Sequence, residues 1–135
     1  SDLGYGHQIG DRVLVALVRK CTELIRDEDF LARYGGEEFV IVLPGASLRN
    51  ALKKAQRLRK AIAGTRYTTD KEKGGKGLSI TVSIGASSFR KNDSVSTVID
   101  RSDQALYQAK RTGKNRVVSE EEIEAEPSQL TKGDT

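Results

Sequence analysis

The sequence predicts a mixed α/β domain in which helices cover both faces of a central β-sheet. Three amphipathic helical segments alternate with short strand-like segments along the 135 residues. Two strand-like segments flank a glycine-rich turn, which predicts a β-hairpin and therefore an antiparallel pair in the sheet. A further segment, residues 78–84, alternates apolar and polar side chains, the period of a strand with one buried face.

The first helix is predicted over residues 11–25, where apolar residues recur every three or four positions. Asp11 is expected to cap this helix or to favour its N-terminal dipole. The hairpin strands follow at residues 30–34 and 39–43, and Pro44 ends the second of them. Paired glycines between the strands permit the positive φ angles that a tight turn needs.

A second helix is predicted from residue 48 to Gly64, with a basic face opposite its apolar one. A lysine- and glycine-rich loop then leads to the strand at residues 78–84, which Gly85 is expected to end. The third helix is predicted over residues 94–111, and a short last strand over residues 116–119. The basic residues of the second helix are Lys53, Arg57 and Lys60.

Charge divides the chain into a basic domain, residues 1–118, and an acidic tail, residues 119–135. The tail carries a net charge of −5, so the formal charge of +4 leaves +9 on the domain. We expect the tail to be flexible, because it lacks apolar periodicity. The basic domain suits a polyanionic ligand, either nucleotide phosphates or nucleic acid. Only 5% of residues are aromatic, which argues against a nucleic-acid partner that stacks bases.

Composition also indicates the cellular compartment. No apolar segment is long enough to cross a bilayer, and the N-terminal residues do not have the pattern of a secretory signal. The single cysteine, Cys21, has no disulfide partner and lies among apolar residues, where we expect it to be buried. A reducing, cytoplasmic environment is therefore expected for the domain.

The turn between the hairpin strands, Gly35-Gly36-Glu37-Glu38, is open to two interpretations. The glycines can serve the geometry of a tight turn alone, with the glutamates as solvated charges. Alternatively, the glycines let a ligand approach the backbone while two carboxylates lie beside it. Carboxylate oxygens suit Mg²⁺, which binds through one or two such groups together with substrate phosphates. The second interpretation predicts a metal–nucleotide site.

Together with four further segments, this turn resembles the GGDEF family of diguanylate cyclases, in its GGEEF form. The other segments are Tyr5-Gly6-His7 with Gly10-Asp11, residues 81–85, residues 101–110, and Gly113-Lys114-Asn115. The resemblance covers residue 5 to about residue 118. It implies a nucleotidyl-cyclase fold, similar to polymerase palm domains, and an enzyme that condenses two GTP molecules into cyclic di-GMP, with each chain of a homodimer holding one GTP.

The resemblance implies roles for the residues of the turn. Glu37 corresponds to the family's metal ligand and to its base for the ribose 3′-hydroxyl, and Glu38 is its neighbour in the catalytic motif. Mg²⁺ is the implied metal, with Mn²⁺ as the alternative. Gly35 and Gly36 would let the nucleotide lie against the turn.

Three residues outside the turn correspond to nucleotide-binding positions of the family. Asp11 corresponds to the aspartate that recognises guanine, a role that can coexist with capping the helix. Lys110 and Lys114 correspond to basic positions that hold the triphosphate. Lys114 stands where relatives more often have arginine, so it keeps the charge but loses the bidentate geometry.

A second site is implied by Arg26 and Asp29, which have the family's Arg-x-x-Asp spacing six residues ahead of the glycines. In the family this spacing marks an inhibitory site for the product, cyclic di-GMP, and Arg57 corresponds to an arginine that completes it. Guanidinium groups bind phosphate, and a carboxylate can accept from guanine. The alternative is a surface ion pair between Arg26 and Asp29.

The chain departs from the family at its start, where members have a strand carrying a second metal-binding aspartate. The family's guanine-binding asparagine would fall near Asp2, which does not match it. We therefore expect a truncated piece of a longer protein, inactive by itself, with a sensory domain upstream and a membrane anchor, if there is one, in the missing N-terminal region. The alternative function is a receptor that binds cyclic di-GMP without catalysis.

Overall fold

The computed structural model describes residues 7–35, 38–67 and 77–124. Backbone contacts divide the chain into two compact units. Unit 1 consists of Ser1–Gly45 and Lys60–Thr81, and unit 2 consists of Ala46–Arg59 and Val82–Thr135. The elements in chain order are α1 (His7–Leu24), β1 (Phe30–Gly35), β2 (Glu38–Val42), α2 (Leu48–Ala63), β3 (Arg66–Tyr67), β4 (Leu78–Ser79), β5 (Ile84–Ala86), α3 (Val95–Arg111), β6 (Val117–Ser119) and α4 (Glu120–Glu124).

The predicted helices and strands occur near their expected positions, with differences at α1 and at β4–β5, and with β3 and α4 as additional elements. Helix α1 begins at His7, so Asp11 lies in its second turn and does not cap it, contrary to the expectation from sequence. The single strand expected over residues 78–84 is interrupted because the chain changes partner. Its start, β4, pairs with β3, whereas β5 pairs with β6, and Gly85 lies inside β5 instead of ending the strand.

The sheets of unit 1 are antiparallel. Strands β1 and β2 form the predicted hairpin, with Phe30 opposite Val42 and Arg33 opposite Phe39. Among the described residues, the buried hydrophobic side chains of the unit come from α1, the end of α2 and the β3–β4 region: Val13, Cys21, Ile62, Tyr67 and Ile80. The Tyr67 hydroxyl donates to the carbonyl oxygen of Ile62 at 3.1 Å. Burial raises the pKa of Tyr67 and of the Cys21 thiol, and the predicted burial of Cys21 is confirmed.

Unit 2 contains a β–α–β arrangement in which α3 connects the parallel strands β5 and β6. One buried hydrophobic cluster of the unit consists of Ala105, Ala109 and Val118, with Ile123 packed against them. Gly85 lies directly against α3, since a Cβ atom there would be 2.9 Å from the Leu106 Cα and nearer still to the backbone around it. Small residues on both elements therefore allow the strand and the helix to approach closely. Parallel and antiparallel pairs both occur, so the predicted mixed α/β class is confirmed.

The start of the acidic tail is ordered, which differs from the expectation for residues 119–135. Ser119 ends β6, and the following residues form α4. Glu120 is buried, and the hydrogen bonds that its carboxylate accepts from Ser88, Arg90 and Arg101 offset the cost of removing the charge from water. Residues 125–135 lie outside the described residues. Among the residues that the structure describes, none of the helices has the length and apolarity needed to cross a bilayer.

Candidate functional site

The GGEEF motif lies at the tip of the β1–β2 hairpin in unit 1. Gly35 is the last residue of β1 and pairs with Glu38, the first residue of β2. The pairing register shifts between Arg33 and Gly35, so the strand is irregular just before the motif. Irregularities of this kind change the direction of nearby side chains and are frequent beside active sites. Gly36 and Glu37, which the sequence singles out, lie outside the described residues.

The side chains of the hairpin differ in how far they are covered. Leu31, Phe39 and Ile41 are partly buried, whereas Phe30 and Tyr34 are largely exposed. The backbone ladder gives the register of the pair, with Leu31 opposite Ile41 and Arg33 opposite Phe39. Glu38 is partly buried at the start of β2. The hairpin thus places the Glu38 backbone opposite Gly35, at the tip.

Arg26 and Asp29 are brought together in unit 1, at the end of α1. The Asp29 carboxylate accepts from the Arg26 guanidinium at 2.7 Å (Nη2 to Oδ1) and 3.1 Å (Nε to Oδ1). It also accepts from the Arg26 backbone N–H at 2.7 Å. The Asp29 side chain is completely covered, whereas that of Arg26 is 46% exposed. The ion pair expected as the alternative is therefore present, with its carboxylate buried and its guanidinium at the surface.

The same guanidinium connects two parts of unit 1. Its Nη2 donates to the carbonyl oxygen of Pro44 at 2.9 Å, just after β2, and its Nη1 lies 3.4 Å from the Glu28 carboxylate. The hydrogen bond to Asp29 raises the pKa of Arg26 above its ordinary value. Arg57 is exposed on α2, within unit 2, together with Lys53, as the predicted basic face requires.

The remaining predicted residues are exposed and lie on separate units. Asp11 is on α1 in unit 1. Lys110 is in the last turn of α3, and Lys114 follows that helix, both in unit 2. Lys114 and Asn115 have positive φ angles of 62° and 47°, which are uncommon for residues other than glycine. Backbone conformations of this kind occur often at functional sites.

Sequence reasoning missed an ion network in unit 2. Arg101 donates to both carboxylate oxygens of Asp93, at 2.8 and 2.6 Å, and to Glu120 at 2.6 Å. Its Nη2 also donates to the backbone oxygen of Ser88 at 2.7 Å. The Arg101 guanidinium strongly lowers the pKa of Asp93, with help from the Arg90 N–H and the Thr97 hydroxyl. The available indication in the sequence was the acidic segment that begins at residue 119, which follows a basic domain able to supply counter-charges.

The chain matches the family model described as diguanylate cyclase, GGDEF domain, over residues 3–116. It is 42% identical over 113 residues to the diguanylate cyclase DgcP of Pseudomonas aeruginosa, covering 84% of this chain and 16% of that protein. It is 38% identical over 115 residues to the response regulator PleD of Caulobacter vibrioides, covering 84% of this chain and 25% of that protein.

Solved structures agree with the sequence comparison. The active GGEEF domain of a diguanylate cyclase from Vibrio cholerae superimposes with a TM-score of 0.74 at 34% identity, over 85% of this chain and 70% of that one. The GGDEF domain of DgcB from Caulobacter crescentus, solved in complex with c-di-GMP, gives a TM-score of 0.77 at 31% identity, over 87% and 68%. The chain spans a quarter or less of the curated relatives DgcP and PleD. By sequence and by structure, the chain belongs to the GGDEF family of diguanylate cyclase domains.

Proposed function

We propose that the protein containing this chain is a diguanylate cyclase, which condenses two GTP molecules into cyclic di-GMP and releases two pyrophosphates. The observation that carries the proposal is the hairpin register, in which Gly35 pairs with Glu38. Only Gly36 and Glu37 stand between them. A connection this short, built from glycine, allows a nucleotide to approach the backbone beside two carboxylates. Family membership and relatives named as diguanylate cyclases support the same activity.

In the proposed reaction, the ribose 3′-oxygen of one GTP attacks the α-phosphorus of the other. A new O–P bond forms while the bond from the α-phosphorus to the pyrophosphate oxygen breaks, and pyrophosphate leaves. Glu37 accepts the proton of the 3′-hydroxyl, and Glu38 provides a second carboxylate beside it. The step occurs twice to close the ring. Positioning of the two nucleotides and stabilisation of charge supply most of the rate enhancement.

Mg²⁺, or Mn²⁺ in its place, is the metal that we propose for this site. The residues that the structure describes contain no group of three His, Cys, Asp or Glu side chains able to hold a metal ion. The donors that we propose are the carboxylates of the GGEEF motif, and Mg²⁺ takes one or two carboxylates and completes its shell with substrate phosphates and water. Glu37 would hold it, and the bound ion would neutralise charge on the triphosphate.

The nucleotide contacts that we propose involve three exposed residues. Asp11 would accept from the ring N–H and the exocyclic amine of guanine, since a carboxylate complements that donor edge. Lys110 and Lys114 would bind the triphosphate; Lys110 also lies in the last turn of α3, where a positive charge is favoured by the helix dipole. Each chain carries one GGEEF motif, so we propose that two chains face each other with one GTP apiece.

Turnover in the full-length protein tests the proposal. We expect the double variant Glu37→Ala, Glu38→Ala to abolish release of pyrophosphate from GTP, because it removes both carboxylates of the motif. The matched control is Glu121→Ala, which removes an exposed carboxylate on α4 and should keep the wild-type rate. Unchanged turnover in the double variant would refute the assignment of the turn as the catalytic site.

We further propose that Arg26, Asp29 and Arg57 bind cyclic di-GMP as an inhibitory product. The exposed edge of the Arg26 guanidinium is available to a phosphate or to the acceptor edge of guanine. The Asp29 carboxylate is covered and already accepts from Arg26. Guanine can therefore bind Asp29 only if at least one Arg26–Asp29 hydrogen bond breaks. Binding at this site thus replaces a hydrogen bond from Arg26 with one from guanine.

The alternative function is a cyclic di-GMP receptor without catalytic activity. The preformed Arg26–Asp29 pair supports this receptor as well as it supports a cyclase with product inhibition. Calorimetry with cyclic di-GMP, combined with the turnover assay, separates the two functions. We expect Arg26→Ala to abolish dinucleotide binding, whereas Arg19→Ala, which removes an exposed arginine of α1, should retain it. Dinucleotide binding with no consumption of GTP would identify a receptor. Equal binding by wild type and Arg26→Ala would refute the product site.

A further inference from the structure

The segment that follows α3 has an unusual backbone conformation. Gly113, Lys114 and Asn115 have φ angles of 129°, 62° and 47°, so three successive residues have positive φ. Glycine takes such angles without penalty, but a residue with a Cβ atom does so at a cost in free energy. Two non-glycine residues in succession therefore need contacts that offset this cost.

Both ends of the segment are held by hydrogen bonds to backbone carbonyl oxygens. The Lys114 N–H donates to the Ala109 carbonyl oxygen at 2.9 Å, which is the bond that closes a helix in a Schellman motif. At the other end, the Ile84 N–H donates to the Arg116 carbonyl oxygen at 2.9 Å. The Arg116 Nε donates to the Lys114 carbonyl oxygen at 3.1 Å. These bonds fix the two ends but involve no atom of the Asn115 side chain.

The Asn115 side chain is held by a residue distant in sequence. The Nη1 of Arg59 on α2 donates to the Asn115 Oδ1 at 3.0 Å. The Nε of the same guanidinium donates to the Gln56 Oε1 at 3.0 Å, one turn earlier on α2. Because the planar guanidinium is held at two points, it presents Nη1 in a fixed direction. Asn115 accepts this contact while tolerating a left-handed backbone better than most residues do.

We propose that Arg59 is a positioning residue, which holds the positive-φ segment 113–115 through Asn115 and thereby fixes the place of Lys114. The inference rests on the proposed function, in which Lys114 binds the triphosphate. Arg59 itself touches no nucleotide in this proposal; it acts through Asn115. The side chain of Lys114 is exposed, so the backbone must determine the point from which its flexible side chain reaches the phosphates.

The test measures binding of guanosine 5′-[α,β-methylene]triphosphate to the full-length protein by calorimetry. We expect Arg59→Gln and Asn115→Gly to weaken binding about tenfold, the size expected for one hydrogen bond from a charged donor. Asn115→Asp keeps the acceptor and should keep the affinity. The matched control, Arg49→Gln, removes an exposed arginine from the same helix and should have no effect. The double variant Arg59→Gln, Asn115→Gly should be no weaker than either single variant, because both remove one contact.

Hydrogen exchange of the Lys114 amide supplies a readout that does not depend on the nucleotide. Faster exchange in Arg59→Gln, together with weaker nucleotide binding, supports the proposal. Unchanged exchange overturns it, and so does faster exchange with unchanged nucleotide affinity, which would show a purely structural contact. If the wild type binds no nucleotide but exchange still rises in Arg59→Gln, the proposed cyclase function fails while the hold of Arg59 on the segment stands.

Discussion

Replacing Gly85 with alanine is expected to destabilise the protein through a clash between β5 and α3. The added Cβ would lie 2.9 Å from the Leu106 Cα, and nearer to the Ser102 carbonyl oxygen and the Leu106 nitrogen. Two carbon atoms pack best at about 3.5–4.0 Å, so α3 would have to retreat by about 1 Å. The obstructing atoms belong to the helix backbone, so no side chain can rotate away.

The expected loss is about 3 kcal/mol in the free energy of unfolding, at the upper end of the usual cost of overpacking. For a domain of this size it corresponds to a fall of about 10 °C in melting temperature. Urea unfolding followed by circular dichroism at 222 nm measures the loss, and a constant m-value would show that the unfolded state is unchanged.

Gly45→Ala is the matched control for this prediction. Gly45 has a φ of 76°, but no other atom lies within 4 Å of the position that its Cβ would occupy. Its substitution therefore adds only backbone strain, about 1 kcal/mol. If Gly85→Ala were no more destabilising than Gly45→Ala, close packing of β5 on α3 would not be the reason for glycine at position 85.

Three other predictions concern the ion network and the metal. Glu120→Gln should lower the free energy of unfolding by about 2 kcal/mol, because the buried amide cannot accept all the bonds that the carboxylate accepts from Ser88, Arg90 and Arg101. The control Glu121→Gln changes an exposed residue and should alter the free energy of unfolding little. Equal losses for the two variants in urea unfolding would contradict this prediction. The lowered pKa of Asp93 contributes stability that is complete above the unfolded-state pKa of about 4 and is lost as the pH falls below it. Melting temperatures measured from pH 6 down to pH 3 should therefore fall less steeply in Asp93→Asn than in the wild type, and parallel curves would count against the pairing. Removing divalent cations with EDTA should abolish GTP turnover by the full-length protein, and Mg²⁺ or Mn²⁺ should restore it; activity that persists in EDTA would exclude the proposed metal requirement.

Elements with a strong local period could be predicted from the sequence. Helices α2 and α3 and the two hairpin strands lie within about two residues of their predicted bounds, because apolar spacing and glycine turns determine them locally. Ser94, at the start of the predicted third helix, is its N-cap and forms a capping box with Thr97. The motif residues were found because their order along the chain is distinctive, although Gly36 and Glu37 lie outside the described residues.

Features that depend on tertiary partners could not be predicted in the same way. The break between β4 and β5 arises because Leu78 and Ile84 pair with different strands, and periodicity within one segment carries no information about its partner. The acidic residues after β6 looked like a solvated tail. Glu120 is nevertheless buried, because Arg90 and Arg101, about 20 to 30 residues earlier, provide its counter-charges.

Closure of α3 at both ends has a mechanical consequence. Its first turn is fastened by the Ser94–Thr97 box and its last by the Lys114–Ala109 bond, so neither end is free to fray. Seventeen residues joined in this way make a rod about 25 Å long. We expect a tilt of the helix at its Asp93 end to displace Lys110 at the other end by a similar angle. A partner that moves the N-terminal end would therefore also move the charge of Lys110.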